Sequence, residues 1–319
     1  MDYERLIDEE TWAFIRKTGE CYPEDAVAQS IAEQRTLYDE MARAFLAARP
    51  ALVETEDRQI SAAPGNPDVS LRIYSAGDPT RTVLFCHGGG FVVGGLESHD
   101  DICAEICAQT GYRVVAVDYR LAPEHQHPAM YDDAWQALCW VITTYGEGVV
   151  LMGDSAGANL CAALAHGARG EAAVQAAIMG QVLIYGAFGG DVNAGSYLEH
   201  AHAPMLTRDE VLFYQDIRRP KGSSPSTEAD PSYAPLQDSD FSHLPPTVLV
   251  SADCDPVRDD SRDYRDKVLA AGGKAYWVNE PGLVHGYLRA RHTVGRARDS
   301  FERISAAVEA LGQGLWPYD

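Results

Sequence analysis

Val149-Val150-Leu151-Met152-Gly153-Asp154-Ser155-Ala156-Gly157 carries the decisive pattern of the chain. An apolar run ends in two glycines that bracket a serine, and a helical pattern follows over 156–168. Strand, tight turn and helix in that order form the context in which Gly-x-Ser-x-Gly presents a nucleophile. The serine must sit on a strained turn, and glycines two before and two after it remove side chains that would clash there. Its oxygen then stands above a sheet, at the N-terminus of a helix. The helix dipole and its free N–H groups favour the negative charge that develops in acyl transfer.

Outward from this stretch, short β-branched runs occur at 58–62, 69–75, 82–86, 113–117, 179–185, 247–251 and 275–279. Several are apolar throughout, as expected of strands covered on both faces. Helical patterns over 100–109, 131–144, 156–168, 259–271 and 294–311 separate most of the later runs. That alternation predicts an α/β fold: a mostly parallel sheet of about eight strands with helices on both faces. The first two runs have only Pro64-Gly65-Asn66-Pro67 between them, which predicts an antiparallel hairpin at one edge. Residues 1–50 read as helical, with a second stretch over 24–48 closed by Pro50. They are expected to pack as a cap on the main body. Residues 187–245 break the rhythm with Gly, Ser, Pro and Asp, apart from a helical piece near 207–218. This segment reads as an insertion on the catalytic face.

The 319 residues are 46% hydrophobic, too apolar for wholesale disorder and enough to bury a substantial core. Asp and Glu total 47 against 26 Lys and Arg, a formal net charge of −21 that argues against nucleic acid and anionic membranes as partners. No apolar run reaches the roughly 18–20 residues that cross a bilayer. The opening MDYERLIDEE lacks the basic-then-apolar pattern of a secretory signal, so a cytoplasmic location is expected. The cysteines (21, 86, 103, 107, 139, 161 and 254) are scattered, without CxxC or Cys/His spacing. They predict reduced, mostly buried thiols and no metal site.

His87-Gly88-Gly89-Gly90 directly follows the run 82–86. Three glycines leave backbone N–H groups unobstructed, and the loop lacks the lysine of a phosphate loop. With the amide of Ala156, those of Gly88 and Gly89 are expected to form an oxyanion hole. His87 reads as a loop brace, and so does Asp154.

A serine nucleophile needs a base and an orienting acid. Asp253-Cys254-Asp255-Pro256 follows the run 247–251, and Val284-His285-Gly286-Tyr287 follows the run 275–279. Both lie beyond the C-terminal ends of strands, where open α/β sheets place their sites. His285 is preferred as base over His87, His125, His127, His200, His202, His243 and His292, because a glycine follows it in a post-strand loop. Asp255 is preferred as acid over Asp253, Asp259 and Asp260, less clearly. Pro256 fixes the turn after it, while Asp259 and Asp260 read as first-turn residues satisfied by a helix dipole.

With these motifs the chain resembles bacterial members of the hormone-sensitive-lipase group of α/β hydrolases, the family IV esterases. The matching residues are His87-Gly88-Gly89-Gly90-Phe91, Gly153-Asp154-Ser155-Ala156-Gly157, Tyr119-Arg120-Leu121-Ala122-Pro123-Glu124-His125, Asp255-Pro256-Val257-Arg258-Asp259 and His285-Gly286-Tyr287. The resemblance spans about residues 55–312. It departs from the common pattern in small ways, with Val257 for a frequent Leu and Tyr287 for a frequent Phe. It implies an α/β-hydrolase fold with a helical cap, made of residues 1–50 and an insertion at about 187–225 in a catalytic domain of 51–319. It also implies a carboxylesterase acting on short-chain esters through Ser155, Asp255 and His285, with no cofactor and no metal. A homodimer built on the last strand and helix is an expectation by analogy. An amidase, a lactonase or a specialised deacylase would use the same triad. A non-catalytic small-molecule receptor on this scaffold is disfavoured by the presence of His285. A lipase for insoluble fat is disfavoured because no long apolar cap segment is present.

Overall fold

The structure, a computed structural model, describes residues 1–23, 26–61, 67–146, 148–222 and 230–318. Its strands are β1 Glu54–Ile60, β2 Val69–Ser75, β3 Thr82–Cys86, β4 Arg113–Asp118, β5 Val149–Asp154, β6 Ile178–Ile184, β7 Thr247–Cys254 and β8 Ala275–Val284. They form one sheet in the order β1-β2-β4-β3-β5-β6-β7-β8. β2 pairs antiparallel with β1 and β4, and the remaining pairs are parallel. The helices of more than two turns are α1 Glu9–Cys21, α2 Ile31–Phe45, α3 Asp100–Thr110, α4 Ala129–Tyr145, α5 Ala156–Ala168, α6 Arg208–Ile217, α7 Arg258–Ala270 and α8 Gly295–Gly312.

The two-residue period of the strands divides the core between the faces. Val83 and Phe85 of β3 join Ile102 and Ile106 of α3 and Ile304 and Val308 of α8 on one side. Leu84 and Cys86 join Leu138 of α4, Leu160 and Leu164 of α5 and Val268 of α7 on the other. The chain leaves β3 for β4 on one side and returns to β5 on the opposite side. The C-terminal ends of β3 and β5 therefore flank the point where strand order reverses, which is where such sheets hold ligands. The glycine loop follows β3, and Ser155 follows β5.

Three boundaries differ from expectation for identifiable reasons. β1 starts at Glu54, earlier than the run at 58–62, and every residue before Ile60 is exposed. An edge strand with water on both faces has no apolar run to mark it. Of the expected turn after it, Pro64, Gly65 and Asn66 lie outside the described residues. The stretch 24–48 is not one helix. Ala26–Ala28 is a single 3-10 turn, and α2 begins at Ile31. There Ser30 caps the Glu33 amide, and Glu33 reaches back to the Ser30 amide. Residues 24 and 25 lie outside the described residues. Finally, β8 runs on to Val284, with a register shift opposite Ala252 and Cys254.

The N-terminal helices are tied to the body by charge as well as by packing. Arg35 of α2 donates to the Val92 and Ala122 carbonyls at 2.9 and 3.0 Å and pairs with Glu124 at 2.7 Å. Behind it, buried Arg291 holds Asp101 at 2.6 Å and Glu105 at 2.7 Å, and Asp101 also accepts the Ala47 amide. Replacing Arg291 by Met strands two largely buried carboxylates. The expected loss is about 3–5 kcal/mol of stability, read as a lowered urea midpoint at an unchanged slope.

No helix among the described residues is long and apolar enough to cross a membrane.

Candidate active site

Ser155 sits between β5 and α5 with φ 52° and ψ −118°, a region L-residues avoid. Its amide donates to the Ile184 carbonyl at 2.8 Å, which pins the turn to β6. The bracketing glycines are needed for space. A Cβ at Gly157 would drive into the Cys86 carbonyl, and one at Gly153 would lie 2.5 Å from the backbone of Gly157. The turn can press against the end of β3 only because both positions lack a side chain.

The structure brings Ser155, His285 and Asp255 together in one hydrogen-bonded row. His285 Nε2 is 2.8 Å from Ser155 Oγ, and Nδ1 is 2.7 Å from Asp255 Oδ2. A carboxylate beside Nδ1 can only accept, so the proton belongs on Nδ1 and Nε2 is left to accept the serine hydroxyl. Asp255 is fully buried, and its other oxygen accepts the Val257 amide at 3.0 Å. His285 follows β8 directly, and the ring of Tyr185 packs 4.8 Å from its ring.

The glycine loop corrects one expectation. The Gly88 amide does not face the site, because it donates to Asp154 Oδ1 at 2.8 Å. Gly88 is thereby removed as an oxyanion donor. The amides of Gly89, Gly90 and Ala156 make no hydrogen bond among the described residues, and these three residues line the cavity in front of Ser155. Gly89 and Gly90 have φ values of 124° and 60°, which turn the loop toward that cavity.

A model of the alpha/beta hydrolase fold matches residues 83–289 of this sequence. The chain belongs to the alpha/beta hydrolase family. It is 36% identical over 260 residues to carboxylesterase NlhH of Mycobacterium tuberculosis, covering 79% of this chain and 78% of that one. It is 30% identical to the ethyl acetate hydrolase of Pseudomonas putida, over 73% of each. Among solved structures, the hyperthermophilic esterase of Pyrobaculum calidifontis superposes with a TM-score of 0.86 at 28% identity, over 96% of this chain and 99% of that one.

In this hydrolase a second set of residues holds the Ser155 turn and the glycine loop, and sequence reasoning found only part of it. Asp154 braces the glycine loop, as expected, but with partners that were not foreseen. His99 Nε2 lies 3.3 Å from its Oδ1, and the Tyr185 hydroxyl donates to Oδ2 at 3.2 Å. Burial alone would raise the Asp154 pKa, but His99, Arg289 and the Gly88 amide outweigh it and hold it down to about 2. His87 is stacked on Tyr119 at 4.2 Å, and its carbonyl accepts the Tyr119 hydroxyl at 2.6 Å. Burial, with His99 nearby, pushes its pKa down to about 3, so it is neutral and serves the loop. The other histidines weighed as base are away from Ser155. His200 contacts Tyr3 and Arg258, His292 contacts Glu105, and His127 contacts Ser232. His202 lines the cavity without reaching the serine.

The competing acids have other work. Asp253 accepts from Asn279 Nδ2 at 2.7 Å and from the Gly282 amide at 3.2 Å, and so props the strand that delivers His285. Asp259 and Asp260 are not satisfied by their own helix alone. Asp259 accepts the Ser196 amide, and Asp260 accepts the amides of Phe188 and Gly190 and the Tyr197 hydroxyl. Burial pushes the Asp260 pKa up to about 7 in spite of these donors. Both carboxyls anchor the segment after β6, contacts spanning 63 to 72 residues of sequence that no local pattern reveals.

The cavity has a volume of about 690 Å³. α1 and α2 contribute Trp12 and Tyr38 to its wall, and α6 contributes Tyr214.

Proposed function

We propose that this hydrolase cleaves short-chain carboxylic esters through an acyl-enzyme on Ser155. The observation that carries the reading is the unbroken row Asp255–His285–Ser155 opening on a cavity with three unoccupied amides. Ser155 Oγ attacks the ester carbonyl as His285 Nε2 takes its proton. Asp255 holds the ring in the tautomer this requires and stabilises the imidazolium. Gly89, Gly90 and Ala156 donate to the oxyanion, each such donor being worth about 2.7–4 kcal/mol of barrier. The imidazolium then protonates the leaving alkoxide. Water, deprotonated by His285, releases the acid, so side chains and water complete the cycle. Residues 1–50 and about 187–225 act in this reading as a cap on the catalytic domain. What supports the cap is that α1, α2 and α6 share the cavity wall. Amides and lactones would engage the same groups; esters are preferred because the relatives carry esterase names.

The test is the initial rate on 4-nitrophenyl esters from acetate to palmitate. With a relative named ethyl acetate hydrolase, the short-chain reading predicts a rate that falls steeply beyond about eight acyl carbons. A rate that stays flat or rises toward palmitate would sink the short-chain assignment.

A further inference from the structure

The row Asp255–His285–Ser155 leaves one motion of the base unconstrained. His285 bonds at 2.7 Å through Nδ1 and at 2.8 Å through Nε2, at nearly opposite corners of its ring. Two such bonds fix a line through the imidazole, and its tilt about that line stays soft. The Nε2 lone pair lies in the ring plane, so the tilt decides how well it meets the serine hydroxyl.

The ring of Tyr185 supplies the missing constraint. It packs against the imidazole with centroids 4.8 Å apart and planes at 56°. Tyr287 packs edge-on against Tyr185 at 5.3 Å, and its own hydroxyl is 2.7 Å from Ser300 Oγ of α8. At the far end of the ring, the Tyr185 hydroxyl donates to Asp154 Oδ2 at 3.2 Å. Burial pushes its pKa well up, so it keeps the proton that this bond needs. The other oxygen of Asp154 holds the Gly88 amide at 2.8 Å, next in the chain to Gly89. One side chain thus touches both the base and the carboxylate that braces the glycine loop. The backbone here is fixed as well. The Ile184 carbonyl takes the Ser155 amide at 2.8 Å, and the Tyr185 amide donates to the Val250 carbonyl at 2.6 Å.

A tyrosine at this position is strained. Tyr185 has φ 35°, a left-handed value that a bulky side chain avoids and a glycine takes freely. Such strain persists where the surroundings enforce it, and it concentrates at working sites. The five non-glycine residues with positive φ among the described residues include Phe91, Ser155 and Met205, which line the same cavity as Tyr185. Glycine at 185 would relieve the strain, so the retained ring points to a task for the ring.

We propose that Tyr185 is a positioning residue for His285: its ring sets the tilt of the imidazole, and its bond to Asp154 registers that tilt with the glycine loop. This rests on the acyl-enzyme reading, and the experiment keeps the two apart. Tyr185→Met fills the space without a ring, and Tyr185→Phe keeps the ring without the hydroxyl. On 4-nitrophenyl acetate, Tyr185→Met is expected to lower kcat about thirtyfold or more, with KM within about threefold of wild type. Tyr185→Phe is expected to lose about three- to tenfold. The leaving group supplies a readout that a merely structural role would not move. Ethoxide must take a proton from the imidazolium as it departs, whereas 4-nitrophenolate need not, so a tilted ring is penalised twice on ethyl acetate. In both variants the loss of kcat/KM on ethyl acetate should exceed that on 4-nitrophenyl acetate by about threefold or more. The proposal is overturned if Tyr185→Met keeps kcat within about threefold of wild type, if the loss falls on KM, if Tyr185→Phe is as slow as Tyr185→Met, or if both esters lose alike. If Tyr185→Met does not fold, Tyr185→Phe and its ratio between the two esters decide. If the wild type turns over neither ester, the esterase reading fails instead. The rate at which a fluorophosphonate labels Ser155, which needs the same base, then decides the role of Tyr185, and a wild type that is not labelled either would overturn both.

Discussion

Ser155→Ala is expected to lower kcat on 4-nitrophenyl acetate by about 10⁵–10⁶-fold, with little change in KM. In the proposed mechanism the hydroxyl is the atom of the row that attacks a carbonyl held by the amides of Gly89, Gly90 and Ala156. Alanine fits the same backbone, so the fold and the cavity should persist, and the loss should fall on kcat. Activity above water should survive at about 10³-fold, because the amides still polarise the carbonyl. Labelling by a fluorophosphonate should vanish. A double variant, Ser155→Ala with His285→Ala, should be scarcely slower than the single one, since a base without its nucleophile has nothing to activate. Turnover by Ser155→Ala within a hundredfold of wild type would remove the serine from the mechanism.

What was legible in the sequence is what short-range physics dictates. The strand 82–86, the strand 69–75 and the helix 156–168 have the bounds expected of them: the first and the helix are covered almost throughout, and 69–75 alternates apolar buried residues with half-buried polar ones over most of its length. The elbow glycines were legible because their neighbours lie on the same turn and on the strand next to it. Gly88 was misjudged for the opposite reason. Its amide is claimed by Asp154, 66 positions away, and nothing in His87-Gly88-Gly89-Gly90 tells which amide turns inward. Asp259 and Asp260 sit where a helix dipole would suffice, yet they hold backbone amides of the segment after β6. Arg218 carried no signal at all. An arginine at the end of an acidic amphipathic helix reads as a solvated charge, and only the fold buries it between Phe91 and Tyr233.

The choice of Asp255 over Asp253 was the least clear of the sequence readings, and it yields the second large effect. Asp255→Asn should lower kcat by about 10⁴-fold at neutral pH. The Val257 amide can still be accepted by the asparagine oxygen, so the loop should keep its shape. The other side-chain atom then becomes an NH₂ aimed at His285 Nδ1, across the 2.7 Å now spanned by Asp255 Oδ2. A donor there forces Nδ1 to be the acceptor and moves the ring proton to Nε2. A protonated Nε2 cannot take the proton of the Ser155 hydroxyl, so the nucleophile is present but not activated. The variant should therefore fold normally and react only slowly with a fluorophosphonate. Asp253→Asn makes the contrast. Asp253 touches Asn279 and the Gly282 amide, not the imidazole. Weakening those bonds loosens the strand behind His285 without changing its tautomer, which should cost less than about tenfold. Were the losses reversed, the orienting acid would be Asp253, and the short contact between Asp255 and His285 would be structural.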